Sequence, residues 1–209
     1  MKPTLSQISI YPIKSTAPLH LSRSALTSTG LAFDRQFVIC NADGKFLTAR
    51  TQPKLLRVQV SPLQNGMTIS VPEASTLILP YTSFKDQYDS ISIWKDQIDA
   101  VYCGELAEQW FSQLLELPCK LYYFGCRSTR PVASHPENQV AFADGYPLLL
   151  TSTASLADLN QRCNSTIVMD QMRPNLVVEN TAPYAEDSWK RIRIGTIKFM
   201  ISKPCGRCI

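Results

Sequence analysis

Through the first hundred residues apolar and polar side chains alternate in short runs separated by turn signals, and this rhythm narrows the fold more than any other feature. Leu5–Tyr11 alternates, and so does Met67–Val71. A period of two turns one face of each run inward and the other toward water. Asn41-Ala-Asp-Gly44 lies between Phe37–Cys40 and Phe46–Thr48, which is a hairpin signal. Further turns fall at Gln64-Asn-Gly66 and at Lys95-Asp96, the latter between Ser90–Trp94 and Ile98–Cys103. Many short strands at this spacing predict a barrel or a sandwich.

From Glu105 to Leu117 the period changes. Leu106, Trp110 and Leu114 form one row, and Ala107, Phe111 and Leu115 form the next. These i, i+4 rows predict an amphipathic helix that stops at Pro118. Lys120–Phe124 reads as a strand, followed by a polar stretch from Gly125 to Asn138 expected to be an irregular loop or lid. A second helix is expected after Thr151-Ser-Thr153, with Ser152 or Thr153 as N-cap and with Leu156 and Leu159 turned inward. Lys190–Ile194 and Lys198–Ile201 read as strands joined at Gly195-Thr196.

The 209 residues suffice for one large or two small domains with a buried core. Apolar residues make up 44% and charged residues 18%, a balance that excludes disordered and fibrous classes. The net charge of +4 is scattered, without a basic cluster, so no nucleic-acid partner is expected. No apolar stretch approaches a membrane span, and no signal-peptide-like stretch follows Met1. A cytoplasmic protein without membrane association is therefore expected. Seven cysteines, mostly inside apolar segments, fit reduced thiols.

Cys205-Gly-Arg-Cys208 stands out locally. Structural zinc needs four ligands, and only His20 and His135 offer imidazoles beside a single Cys-x-x-Cys. A thioredoxin-like pair needs a helix after its first Cys to lower the thiol pKa. A pair of ordinary thiols at a strand end is the third reading, and the residues alone leave all three open. Other segments carry anion-binding chemistry: Tyr11-Pro-Ile-Lys14-Ser15, Phe33-Asp-Arg35, Thr48-Ala-Arg50, Thr151–Ser155 and Arg173-Pro-Asn175. Lys supplies a point charge, Arg a fork, and a helix start offers free amides for phosphate. Taken singly, each segment also reads as solvated charge or as a helix cap.

In this order the segments resemble one family. Pro12-Ile-Lys-Ser15 after the first strand, followed by Gly30-Leu-Ala-Phe-Asp-Arg35, resembles the N-terminal β-barrel domain that precedes MOSC domains. Phe142-Ala-Asp-Gly-Tyr-Pro147, Met172-Arg-Pro-Asn175, Glu186-Asp-Ser-Trp189 and Lys203-Pro-Cys-Gly-Arg-Cys208 resemble the MOSC domain itself. The likeness runs from Leu5 to Ile209, toward bacterial YcbX-type proteins and, more distantly, the mitochondrial amidoxime-reducing components. It implies a mainly β fold with a few helices (α+β). An N-terminal barrel domain over residues 1–103 would pack against a helix and a partial MOSC barrel over residues 104–209. Relatives continue past the metal-binding cysteine, whereas here only Ile209 follows Cys208, so the resemblance implies a barrel cut short.

The resemblance also implies a molybdenum–molybdopterin cofactor between the two domains. Cys208 would be the metal ligand and a catalytic residue, a soft thiolate beside the dithiolene sulfurs. Lys14, Ser15, Arg35 and Arg173 would hold the pterin and its phosphate, with Asn175 on the pterin and with Ser152 and Thr153 meeting the phosphate. Asp144 matches a position near the metal, where a substrate role and a loop-capping role both stand open. The implied activity is reduction of small N-hydroxylated compounds such as hydroxylamines, hydroxylated nucleobases or amidoximes. Electrons would come from a donor protein or from a C-terminal ferredoxin-like domain with a 2Fe–2S cluster, for which no cysteine set exists in these residues. The alternative is a sulfur-delivery domain carrying a persulfide on Cys208 or Cys205, close to Lys203 and Arg207.

Overall fold

The alternating runs become strands in the computed structural model, which describes residues 2–206. The chain is mostly β. The described residues include three α-helices: α1 (Glu105–Leu115), α2 (Thr153–Arg162) and the single-turn α3 (Met169–Met172). Two compact units form. The larger is Ile10–Leu19 with Ala25–Pro147, and the smaller joins the residues up to Ser9, His20–Ser24 and the described chain from Leu148 onward. This division falls elsewhere than the expected boundary at residue 103. The reason is α1, whose Ala107, Phe111 and Leu115 enter the core of the larger unit.

In the larger unit four antiparallel strands run in the order Phe37–Asn41, Cys119–Tyr123, Asp96–Tyr102, Tyr88–Ile93. A meander of Gln59–Leu63, Gly66–Val71 and Ala74–Pro80 forms a second sheet. Phe37 and Ile39 point into a cluster with Leu55, Met67, Ile69, Leu79 and Phe111. Val38 and Cys40 point the other way, onto Ile91, Ile93, Ile98, Tyr122 and Phe142. Burial on both faces explains why Phe37–Cys40 is an unbroken apolar run. The Asn41 turn forms as expected: Asn41 Oδ1 accepts from the N–H groups of Asp43 and Lys45, and Gly44 takes φ +74°. Its return arm is not a regular strand. Phe46 bridges Cys40 on one side while Lys45 bridges Ser92 on the other, so isolated bridges join both edges of a curled sheet.

The stretch 125–138, expected to be irregular, is instead built around a hairpin of Pro131–Val132 and His135–Gln139. The polar residues that suggest a loop are internal anchors. Arg130 is buried, its backbone N–H donates to Gln139 Oε1 at 2.8 Å, and Ser128 Oγ donates to the Asp99 carbonyl at 2.5 Å.

The smaller unit has a four-stranded sheet in the order Leu150–Ser152, Leu176–Glu179, Thr4–Ile10, Leu19–Leu21. Leu150–Ser152 and Leu176–Glu179 are parallel, and α2 and α3 lie in the crossover between them. Leu176–Glu179 pairs antiparallel with Thr4–Ile10, placing Leu5 opposite Val178 and Ile8 opposite Leu176. A separate hairpin, Arg191–Ile194 with Ile197–Met200, turns at Gly195 with φ +58°. Among the described residues no helix is long and apolar enough to cross a membrane.

On α1 the two predicted rows separate. Phe111 is fully buried while Leu106 is 51% exposed. Phe111→Ala is expected to lower the unfolding free energy by about 3–5 kcal/mol, and Leu106→Ala by less than about 0.5 kcal/mol. Urea unfolding of both variants checks this, and equal losses would reject the assigned face.

Candidate functional site

Backbone geometry brings the first two anion-binding motifs together in the larger unit. After the first strand the chain passes Tyr11, whose N–H donates to Asp34 Oδ1 at 2.9 Å and whose carbonyl accepts from Arg35 N–H at 2.8 Å. Asp34 also accepts from Arg35 Nη1 at 2.6 Å, and the guanidinium stacks 4.1 Å above the Tyr11 ring. The Phe142–Pro147 segment joins the same cluster. Phe142 N–H donates to the Arg35 carbonyl at 2.9 Å. Gly30, at φ +117°, passes so close to Pro147 that a Cβ would lie 3.0 Å from its carbonyl oxygen.

Lys14 lies at the centre and is 7% exposed. Its Nζ donates to the Phe142 carbonyl at 2.8 Å and to Asp144 Oδ1 at 2.6 Å. Burial pulls its pKa down from 10.5 to about 8; Asp144 opposes this, and the charges of Arg35 and Arg130 add to it. For Asp144, partial desolvation works to raise the carboxyl. The charge and hydrogen bond of Lys14, the Trp94 indole and the charge of Arg35 outweigh it and hold the group below its ordinary range. Trp94 Nε1 donates to the same Oδ1 at 3.0 Å.

Arg130 fixes the loop that carries Asp144. Its guanidinium donates to the carbonyls of Ala141, Ala143 and Asp144, and its Nε donates to Asp96 Oδ2 at 2.8 Å. Sequence reasoning leaves Arg130, Asp34 and Trp94 out of the site. The only signal for Arg130 is an Arg in a segment thought to be irregular, and that does not distinguish a buried fork from a solvated charge.

The smaller unit holds the other expected residues, and several are engaged internally. Ser152 is buried; its hydroxyl caps α2 by accepting from Ser155 N–H at 3.0 Å. Its own N–H donates to Glu186 Oε1 at 2.9 Å, and Ser155 Oγ donates to the same oxygen at 2.6 Å. Where the sequence suggests a phosphate seat at Ser152, the structure seats the buried Glu186 carboxylate, and Glu186 Oε2 has no hydrogen-bond partner among the described residues. A phosphate there would meet that carboxylate. Thr153 is exposed at the helix start. Asn175, expected on the pterin, also links two segments: its Oδ1 accepts from Leu149 N–H at 3.1 Å and its Nδ2 donates to the Ser9 carbonyl at 3.1 Å. Arg173 ends α3 in left-handed backbone.

Ser15, Arg35 and Arg173 have φ of +75°, +46° and +56°. Non-glycine residues held there cost about 1 kcal/mol each; at Arg173 the conformation ends α3, as it does at Glu116 after α1. Three cysteines, Cys40, Cys103 and Cys119, are buried, and burial raises each thiol, Cys40 to about 12 and Cys119 to about 11. They serve as core residues, whereas Cys126 and Cys205 are exposed. Cys208, the expected metal ligand, lies outside the described residues. Among the described residues no group of His, Cys, Asp and Glu is arranged to hold a metal ion.

A buried lysine with Arg35 and Arg130 close by is a donor set that fits the anionic end of a phosphorylated cofactor; the Ser152 hydroxyl is engaged in capping α2. A family model, the MOSC N-terminal beta barrel domain, matches residues 2–118, and a second, the MOSC domain, matches residues 137–209. The chain belongs to the MOSC family. It is 33% identical to mitochondrial amidoxime-reducing component 1 of Mus musculus and of Homo sapiens, over 99% of this chain and 64% and 65% of those proteins. It is also 29% identical to the molybdenum cofactor sulfurase of Oryza sativa subsp. japonica, over 98% of this chain and 27% of that protein. The chain thus spans a little under two thirds of the amidoxime-reducing components it matches.

The Lys14 geometry gives a titration with a defined sign. Its folded pKa lies below the unfolded value, so stability relative to Lys14→Met should rise between about pH 8 and 10.5. The 13Cε resonance of Lys14 should titrate near pH 8, and Asp144→Asn should move that midpoint further down. An upward move would overturn the assigned roles.

Proposed function

We propose that the chain is the cofactor-holding part of a molybdenum-dependent reductase of small N-hydroxylated compounds. The single observation that carries this is the buried Lys14, set among Arg35, Arg130 and Asp144. Support also comes from relatives whose names state that they reduce amidoximes. When bound, a molybdenum–molybdopterin would supply the two-electron chemistry that removes oxygen from nitrogen.

The chain's residues would bind and orient it. Lys14, Ser15, Arg35 and Arg173 would hold the anionic and pterin parts, with Thr153 exposed at a helix start. Asn175 would act through the strand framework, keeping the segment that carries Arg173 in register. Cys208 would supply the thiolate. Asp144, kept ionised by Lys14 and Trp94, would face substrate as a hydrogen-bond acceptor. Electrons would arrive from a donor protein or from a ferredoxin-like domain with a 2Fe–2S cluster.

A second reading, sulfur delivery through a cysteine persulfide, draws on the likeness to the rice sulfurase and on the exposed Cys205.

Production of the protein from its natural gene in a host that makes molybdopterin separates the two. We expect molybdenum in the wild type, none in Cys208→Ala, and a strong loss in Lys14→Met, read by elemental analysis. Substrate assays with hydroxylamines then follow. No metal in the wild type, with an extra sulfur by mass spectrometry, would move the protein to the second reading.

A further inference from the structure

In the smaller unit Arg173 closes α3, and its N–H donates to the Asp170 carbonyl at 3.1 Å. A helix of four residues has too few internal bonds to hold its own last turn. Its surroundings must do so.

One flank of Arg173 is tied directly. Ser9, on the Thr4–Ile10 strand, donates its N–H to the Asn175 carbonyl at 2.9 Å, and its own carbonyl accepts from Asn175 Nδ2 at 3.1 Å. The other flank is reached through His20, on the edge strand Leu19–Leu21. Ser9 Oγ lies 3.0 Å from His20 Nδ1. Gln7 Nε2 donates to that hydroxyl at 2.9 Å and lies 3.3 Å from the same ring nitrogen. An amide nitrogen only donates, so Nδ1 is the acceptor and the ring carries its hydrogen on Nε2. Nε2 faces Asp170 Oδ2 at 3.4 Å.

Ser9 is fully buried and makes a firm anchor. It grips both ends of the segment from Asp170 to Asn175, directly at Asn175 and through His20 at Asp170. Burial does not call for an imidazole here, since the His20 side chain is 52% exposed. Its two ring nitrogens nevertheless span the gap between the buried hydroxyl and α3.

We infer that His20 is a positioning residue for Arg173: by joining Ser9 to Asp170 it holds α3 and fixes the left-handed residue at its end. The task of Arg173 as an anion holder rests on the reductase reading, whereas the clamp is a property of the smaller unit alone. An ion pair whose partners are both about half exposed contributes little, so the expected effects are small and local.

The first readout is hydrogen exchange of the Arg173 amide in the metal-free chain. His20→Ala and Asp170→Ala should each speed it about two- to fivefold. The double variant should gain no more than either alone, because both remove one contact. His20→Gln, which keeps an acceptor and a donor on a planar group, should restore most of the protection. His135→Ala, in the larger unit, should change nothing. Unchanged exchange in His20→Ala, additive effects in the double variant, or an equal rise across the Leu176–Glu179 amides would each overturn the inference. The second readout is molybdenum retained by protein made in a molybdopterin-producing host. His20→Ala should lower it, but not in an Arg173→Ala background; an equal fall there would overturn the action through Arg173. A wild type without molybdenum would sink the reductase reading, and exchange would still decide the clamp.

Discussion

The Arg130 guanidinium is a buried charge, and removing an ion from water costs several kcal/mol unless its donors all find acceptors. Here it reaches Asp96 on one hairpin and the carbonyls of Ala141, Ala143 and Asp144 on the following loop. Those acceptors are fixed in space by the cation that needs them. Asp144 therefore sits at a set position beside Lys14. Lys14 in turn ties the loop, through Phe142 and Asp144, to the start of Phe37–Asn41, where the Phe37 carbonyl accepts from Lys14 N–H. Without the fork, three carbonyls and a carboxylate would face one another with nothing between them. The Arg130 fork thereby fixes the loop whose Asp144 carboxylate both Lys14 and Trp94 bind. A lysine in its place would offer one point charge where four acceptors are spread around a plane.

Much of the fold is legible in the residues because local pattern and burial agree. Period-two runs give strands, and the row Ala107, Phe111, Leu115 gives the buried face of α1. The hairpin at Gly195 and the Asn41 turn follow from glycine and from Asn side-chain chemistry. The stretch 125–138 misleads because polarity along the chain does not reveal whether a polar group is solvated or internally satisfied. Ser128 and Arg130 are the second kind. The division into units misleads for another reason: Thr4–Ile10 and α1 each pack with partners distant in sequence, which periodicity cannot register.

The candidate site shows the same division. Lys14, Arg35 and Asp144 lie together as the motifs suggest, because Tyr11, Asp34 and Phe142 link their backbones. The start of α2 shows what a helix N-terminus in a sequence leaves unstated. It announces that an anion belongs there and not which one; here the chain supplies its own, Glu186, from more than thirty residues away. Asn175 likewise carries the chemistry of a ligand contact and at the same time links Leu149 to Ser9.

The sheet of the smaller unit has a consequence for how the protein is made. Its Thr4–Ile10 strand lies between Leu19–Leu21, made soon after it, and Leu176–Glu179, made far later, and the Ser6 hydroxyl waits for a carbonyl 171 positions on. At about 5–20 residues per second the edge of this strand that faces Leu176–Glu179 stays open for roughly 10–30 s. The larger unit, whose strands all lie between these two, can be complete before the smaller one has its middle strand. Synthesis order and folding order therefore differ: a strand made before the larger unit completes its pairing only after that unit is made.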